Sequence, residues 1–434
     1  MSRKRRFFFA GLLFLHILPF AVRPALIGGD EPHYALMAHS MAVDGDIDLE
    51  NNYQAVEQGS FAAGRKRAGE KLERHLLPFG ERQVLSHPLG LPWLAAPLLW
   101  LQQVLAPGAA PDLLLGLLSL GLTFAALLAG RDLLTGHLQD QRRANLVTFS
   151  LYFSTPIWYY SRTFFTEPYL WALPVLGLWL MGRQRWLASG ILLGMTFLIK
   201  EIAVLILLPL LLGVLLHRGV KRCAQASVGL ATAVAVYAFK NYAVYGEPWV
   251  SAYPFQVGDP VAGAVGLLLS FTFGLLPFAP LAVVALVGYW PGSATRNWQG
   301  NPATLFLALS LVIFASYFGL TACWIDPTGG SSFGTRLLLP VLPALALPLA
   351  RLWQEASSRR WLRLLLLGTT IAGFAIQWSA ALDPVPAMWS IRLSELLSEN
   401  LLAAPIGALL AAVFLVRVLK DEEDGSGRRF TVGI

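Results

Sequence analysis

Apolar segments recur along the whole chain, near 7–27, 88–106, 112–130, 145–160, 168–182, 186–216, 224–240, 263–289, 302–322, 336–350, 361–381 and 401–419. A bilayer core about 30 Å thick takes roughly 20 apolar residues to cross as a helix. A chain with this many such runs is confined to the polytopic membrane proteins. Charged residues make up only 14% of the 434, against roughly 25% in a soluble protein. The expected fold is all-α, a polytopic membrane protein with about 12 transmembrane helices in a single domain over 1–434. The net charge of +7 is spread over loops. It reads as membrane topology and contact with anionic membrane lipids, with no nucleic-acid partner.

Lys and Arg decide how the segments thread. The cluster Arg3-Lys4-Arg5-Arg6 holds the N-terminus in the cytoplasm. The first segment lacks a small-residue cleavage site and ends at Arg23-Pro24, so it reads as an uncleaved span. Residues 28–87 then form a first outer loop. Arg131, Arg142, Arg143, Arg183, Arg185, Arg218, Lys221, Arg222, Arg351, Arg359 and Arg360 all fall inside if 88–106 stays on the outer face. That segment also carries Pro88, Pro92 and Pro97, which break a regular helix. It reads as a re-entrant or interfacial element. Segment 186–216 is basic at both ends, and one helix of that length would reach roughly 46 Å. Two short crossings meeting at an outer turn near Lys200-Glu201 satisfy both facts. Residues 387–400 read as a short amphipathic helix on the outer surface, and 420–434 as a cytoplasmic tail. Cys223 and Cys323 fall on opposite sides and form no disulfide framework.

This threading gathers the unusual polar residues on one face. Asp30-Glu31-Pro32-His33-Tyr34 stands where the first span ends. Glu167, Lys200-Glu201 and Lys240 follow at other span ends, and Asp326 to Arg336 form a last, Gly-rich loop. Arg162, Lys200, Lys240 and Arg336 run against the positive-inside bias. Charges at membrane depth are costly and are kept when paired or functional. Four cations beside several carboxylates suit a lipid-linked phosphate with a nearby general base. The Gly-rich stretch is no nucleotide fingerprint, because no strand precedes it; it reads as a loop lining Arg336. Asp44, Asp46 and Asp48 lack the later Glu of a calcium loop and read as solvated loop residues. No His/Cys cluster suggests zinc. Neither a cofactor nor a tightly bound metal is expected.

The residues resemble the GT-C membrane glycosyltransferases, in the branch of the bacterial protein O-mannosyltransferases and the aminoarabinose-to-lipid-A transferase. Four places carry the resemblance: Asp30-Glu31-Pro32-His33-Tyr34 followed by Gly45-Asp46; Ser86-His87-Pro88-Leu89-Gly90; Thr166-Glu167-Pro168; and Phe333-Gly334-Thr335-Arg336-Leu337-Leu338-Leu339-Pro340. The resemblance implies that Asp30, with Glu31 beside it, is catalytic, that Glu167 is the second acid, and that Arg336 contacts phosphate. His87 stands where a Lys is common, and Leu337 where an aromatic is usual.

Together these readings make Lys200, Lys240, Arg162, His87 and Tyr34 further substrate-binding candidates. The expected activity is inverting transfer of a sugar from a polyprenyl-phosphate-linked donor to a lipid, glycan or protein acceptor, on the periplasmic face of a bacterial inner membrane. The rival from another class is a transporter or flippase of a lipid-linked or anionic substrate, which also needs many spans and embedded charges.

Overall fold

A computed structural model describes residues 3–22, 28–58, 72–79, 82–107, 111–249, 255–290, 302–330, 332–382, 393–399 and 402–420. The chain begins with α1 (Arg3–Val22), then α2 (Glu31–His39) running into a π-helical turn (Ser40–Asp44), and α3 (Glu50–Glu57). A hairpin of β1 (Leu76–Phe79) and β2 (Arg82–Leu85) leads into α4 (Gly90–Leu105). Next come α5 (Pro111–Leu138), α6 (Gln141–Phe153), α7 (Pro156–Tyr160), α8 (Thr166–Gly182) and α9 (Trp186–Ile199). A 3-10 turn (Glu201–Ala203) joins α9 to α10 (Val204–Arg218), followed by α11 (Val220–Tyr245), α12 (Pro260–Leu269), α13 (Leu275–Phe278), α14 (Pro280–Val287) and α15 (Pro302–Ala322). A 3-10 helix (Arg336–Leu345) runs into α16 (Ala346–Glu355), and α17 (Arg360–Leu382), α18 (Leu393–Glu399) and α19 (Ala403–Lys420) complete the chain.

The all-α polytopic architecture holds. Among the described residues, six helical stretches are long and apolar enough to cross a membrane: Pro111–Leu138, Glu201–Arg218, Val220–Val244, Ala303–Ala322, Arg336–Glu355 and Arg360–Leu382. Shorter apolar helices stand at Phe8–Val22, Trp186–Ile199, Pro260–Leu269 and Ala403–Leu419. The outward surface is itself apolar, with Phe14, Ile191, Leu208, Val312, Leu364 and Leu409 exposed. A soluble protein does not present such a continuous apolar coat. Among the described residues, β structure is confined to the hairpin and one bridge, Val257 with Trp324.

Segment 186–216 breaks where the sequence places its turn. Lys200 is extended (φ −162°, ψ 127°) and ends α9. Its neighbour α11 shows which way each piece runs. A Cβ on Gly190 would meet Ala226 O at 2.4 Å, and one on Gly194 would meet Gly229 O at 2.3 Å. Rising numbers on α9 thus face rising numbers on α11, so the two helices are parallel and α10 runs back between them. Small residues let their backbones touch, as in membrane helix pairs generally.

α4 is a helix of 16 residues, about 24 Å long. Gly90, Leu91, Ala95 and Leu99 are buried, while Trp100, Leu101, Val104 and Leu105 at its far end are exposed. Residues 387–392 and 421–434 lie outside the described residues. α18 is present, with Leu396 buried and Leu393 N donating to Phe271 O at 3.0 Å.

Two apolar cores meet along α8. One is aromatic and holds Phe149, Phe153, Trp158, Phe333, Phe374 and Trp353. The other gathers α2, the hairpin, α4 and α9 around Tyr53, Leu91, Leu193 and Ile199. α8 gives Trp171 and Ala172 to the first and Tyr169, Leu170 and Leu173 to the second. Its N-terminus, with Glu167, therefore opens on the seam between them.

Candidate active site

Asp30 occupies the turn between α1 and α2, at the head of that seam. Its Oδ2 lies 3.7 Å from Arg336 Nη1, and its Oδ1 lies 3.9 Å from His87 Nε2. Burial acts to raise the Asp30 carboxyl, but the neighbouring positive charges, Arg336 foremost and then Lys200, outweigh it and hold the group below the ordinary carboxylate value. Asp30 is thus ionised at neutral pH. Burial pushes the His87 imidazole down to about 4, with Asp30 pulling the other way, so His87 is a neutral ring. Burial also raises the Tyr34 phenol well above its usual range, with Asp30 and Glu167 adding to the effect. Tyr34 therefore stays a donor.

Arg336 is buried at the start of the 3-10 helix. Pro340 and Pro343 lie three residues apart in that helix. Neither has an N–H to give, which explains why an α-helix does not start here. The guanidinium stacks over Phe165 at 4.4 Å and donates from Nη2 to Gly329 O at 2.6 Å. The Gly-rich loop therefore lines Arg336, as the sequence suggests. Asp326 shapes that loop by accepting from Thr328 N and Gly330 N, each at 3.1 Å.

Glu167 stands in the first turn of α8, where the helix dipole favours an anion. Its Oε1 is 3.4 Å from Lys200 Nζ. Lys200 is placed by a close approach: a Cβ on Gly90 would lie 2.2 Å from the Leu198 backbone. Only glycine lets the start of α4 meet the end of α9, bringing the His87 arm beside Lys200. Three buried polar atoms here have no hydrogen-bond partner among the described residues: Glu167 Oε2, Arg336 Nε and Thr335 Oγ1. Buried polar atoms are rarely left so. One acceptor and two donors left over beside the Asp30–Arg336 and Glu167–Lys200 pairs suit a polar ligand.

The candidates named from sequence divide. Asp30, Tyr34, His87, Glu167, Lys200 and Arg336 come together. Glu31 faces away from them, fully buried: its Oε1 accepts from Phe164 N at 2.6 Å and its Oε2 from Gly28 N at 3.0 Å. Arg162 is engaged with backbone, donating to Pro19 O and Ala381 O, and stacks 5.2 Å over Tyr159. It joins the ends of α1 and α17. Lys240 lies 5.3 Å over Tyr237, in a small cleft lined by Pro88, Leu89, Gly90, Trp93 and Leu198.

Asp44, Asp46 and Asp48 are not merely solvated. Asp46 accepts from Ser40 Oγ at 2.8 Å, Asp44 from Asn52 Nδ2 at 2.9 Å, and Asp48 from Gln83 N at 3.0 Å, which ties the π-turn to the hairpin. His75 escaped the sequence reading, because nothing in a spacing of twelve residues pairs it with His87. The hairpin does so: Leu76 faces Leu85, Ser86 N donates to His75 O at 3.0 Å, and His75 Nδ1 lies 2.9 Å from His87 Nε2. Thr335, next to Arg336 and within the Phe333–Pro340 motif, was the one missed residue that carried a signal.

No protein-family model and no curated protein matches the chain. Its overall fold is similar to that in a crystal structure of ArnT from Cupriavidus metallidurans bound to undecaprenyl phosphate. The two share 15% identity over 96% of this chain and 77% of that one, with a TM-score of 0.49.

Proposed function

We propose that this chain is a glycosyltransferase that moves a sugar from a polyprenyl-phosphate donor to a lipid, glycan or protein acceptor, on the periplasmic face of a bacterial inner membrane. The observation that carries the reading is the Asp30–Arg336 and Glu167–Lys200 arrangement with its unpartnered buried atoms, at the head of an apolar seam. A lipid tail fits an apolar bundle, and a phosphate fits two cations with a spare N–H and hydroxyl beside them.

The reaction is a single in-line displacement. The acceptor oxygen or nitrogen attacks the anomeric carbon, the bond from that carbon to the phosphate oxygen breaks, and the electron pair leaves with the phosphate. Arg336 and Lys200 hold the charge that develops there, in a site where water is scarce and fixed cations act strongly. The acceptor proton passes to Asp30. A carboxylate held low by cations is a weak base at rest. Once the donor phosphate shares Arg336 and Lys200, that stabilisation falls and the basicity of Asp30 rises. Glu167 Oε2 remains to orient the acceptor. A single displacement inverts the anomeric centre.

The test is transfer of labelled sugar from polyprenyl phosphate by the purified chain in detergent. Arg336→Ala should weaken the donor by roughly ten- to a hundredfold, the loss of one charge-assisted contact of about 1.5–3 kcal/mol. Arg336→Lys should recover part of it. If vesicles containing the chain move the lipid-linked sugar across the bilayer with its bond intact, the flippase reading replaces this one.

A further inference from the structure

His75, His87 and Asp30 reach one point from three places in the chain. His75 stands just before β1, His87 just after β2, and Asp30 at the entry to α2. Each offers one ligand atom, and the three atoms lie within 4.8 Å of one another; all three residues are half-buried. We infer that they form a binding site for a single divalent transition-metal ion of the zinc type, left invisible in the sequence because no two of the ligands are closer than twelve residues.

The donor set selects the ion. Two imidazole nitrogens and one carboxylate oxygen are a three-ligand zinc set with a fourth position open to water or substrate. Calcium and magnesium take oxygen ligands instead. Two nitrogens on tetrahedral zinc lie roughly 3.3 Å apart, from Zn–N bonds of about 2.0–2.1 Å. The pair at 2.9 Å needs to open by only a few tenths of an ångström to accept one. Without an ion, the facing nitrogens share one proton. A bound ion takes its place, and the ring that held it carries a proton on its other nitrogen instead.

The surroundings hold the ligands in place. His33 stacks on the His75 ring with centroids 3.9 Å apart, and its Nδ1 bonds the Tyr53 hydroxyl at 2.5 Å. The same hydroxyl accepts from His75 N at 3.3 Å. Such outer contacts orient metal-binding imidazoles. Asp30 turns Oδ1 toward His87 and Oδ2 toward Arg336. The site is therefore adjacent to the guanidinium, and its open position is available to an oxygen of water or of phosphate. A divalent ion would add to the positive charge that Arg336 and Lys200 present to a departing phosphate. That last role rests on the glycosyltransferase reading; the binding of the ion does not.

The full chain, purified through a tag without histidine and stripped with chelator, is loaded with Zn2+ or Co2+ alone. Elemental analysis should find one ion per chain, and Co2+ should show the visible band of a four-coordinate site. His75→Gln and His87→Gln should each weaken Co2+ binding by at least roughly tenfold and remove that band, while elution as a monodisperse species shows that they fold. A parent chain that retains no more metal than the double variant overturns the proposal. So does a band that survives both substitutions. Because no donor or acceptor is present, a positive result stands even if sugar transfer fails.

Discussion

Asp30 and Glu31 are neighbours with opposite surroundings. Asp30 meets cations at the seam; Glu31 accepts from the backbone amides of Gly28 and Phe164. Asp30→Asn keeps the size of the side chain and removes the base. Turnover should fall by a factor of about 10²–10⁴, while labelled donor lipid still binds, since Arg336 and Lys200 remain. An Asn variant that turns over at the parental rate would remove Asp30 from the chemistry. Glu31→Gln replaces one accepting oxygen by an NH2 that confronts a backbone N–H. Losing a charge-assisted bond should cost about 1.5–3 kcal/mol of stability, seen as a lower melting temperature in detergent. Equal melting of variant and parent would show that Glu31 does not clamp the α1–α2 turn to the start of α8.

At the scale of elements, α9 and α11 pack backbone against backbone. A Cβ on Gly229 would lie 2.1 Å from the carbonyl of Gly190. Backbone cannot move aside as a side chain can, so Gly229→Ala should destabilise the protein by about 1–3 kcal/mol. Gly121 offers the contrast, with nothing within 4 Å of its Cβ direction in the middle of α5. Gly121→Ala should be neutral, or stabilising by up to about 1 kcal/mol through helix propensity. Thermal unfolding of the two variants beside the parent decides the matter. Because α9 ends at Lys200, loosening α9 against α11 should also reduce sugar transfer.

For the whole molecule, the open question is which side of the membrane each end of the bundle faces. With Cys223 and Cys323 replaced by serine, single cysteines at Ala106 and Gln139, both exposed, report the two ends of α5. An impermeant thiol reagent added from outside should label Ala106→Cys and leave Gln139→Cys unlabelled. The reverse pattern would mean that the whole bundle sits the other way up, since Asp30 and Arg336 meet on one face. The seam at the head of α8 would then open on the cytoplasm, where the proposed donor is not presented.

Much of this was legible in the residues. Apolar runs of span length and sparse charge determine a helical membrane protein, because a backbone in lipid must bond within its own segment. Basic residues at both ends of 186–216 required a turn near Lys200-Glu201, and the chain breaks there. Charges stranded at span ends pointed to Asp30, Glu167, Lys200 and Arg336, since such groups persist only where something offsets their desolvation. Tertiary structure decided the rest. Glu31, Arg162 and Lys240 look in sequence like members of the same set, yet each is turned to other partners by the packing around it. His75 shows no sign of a role until antiparallel pairing folds it onto His87. Periodicity and charge report the surroundings a residue needs; which partners meet it across fifty or three hundred residues is set only when the helices pack.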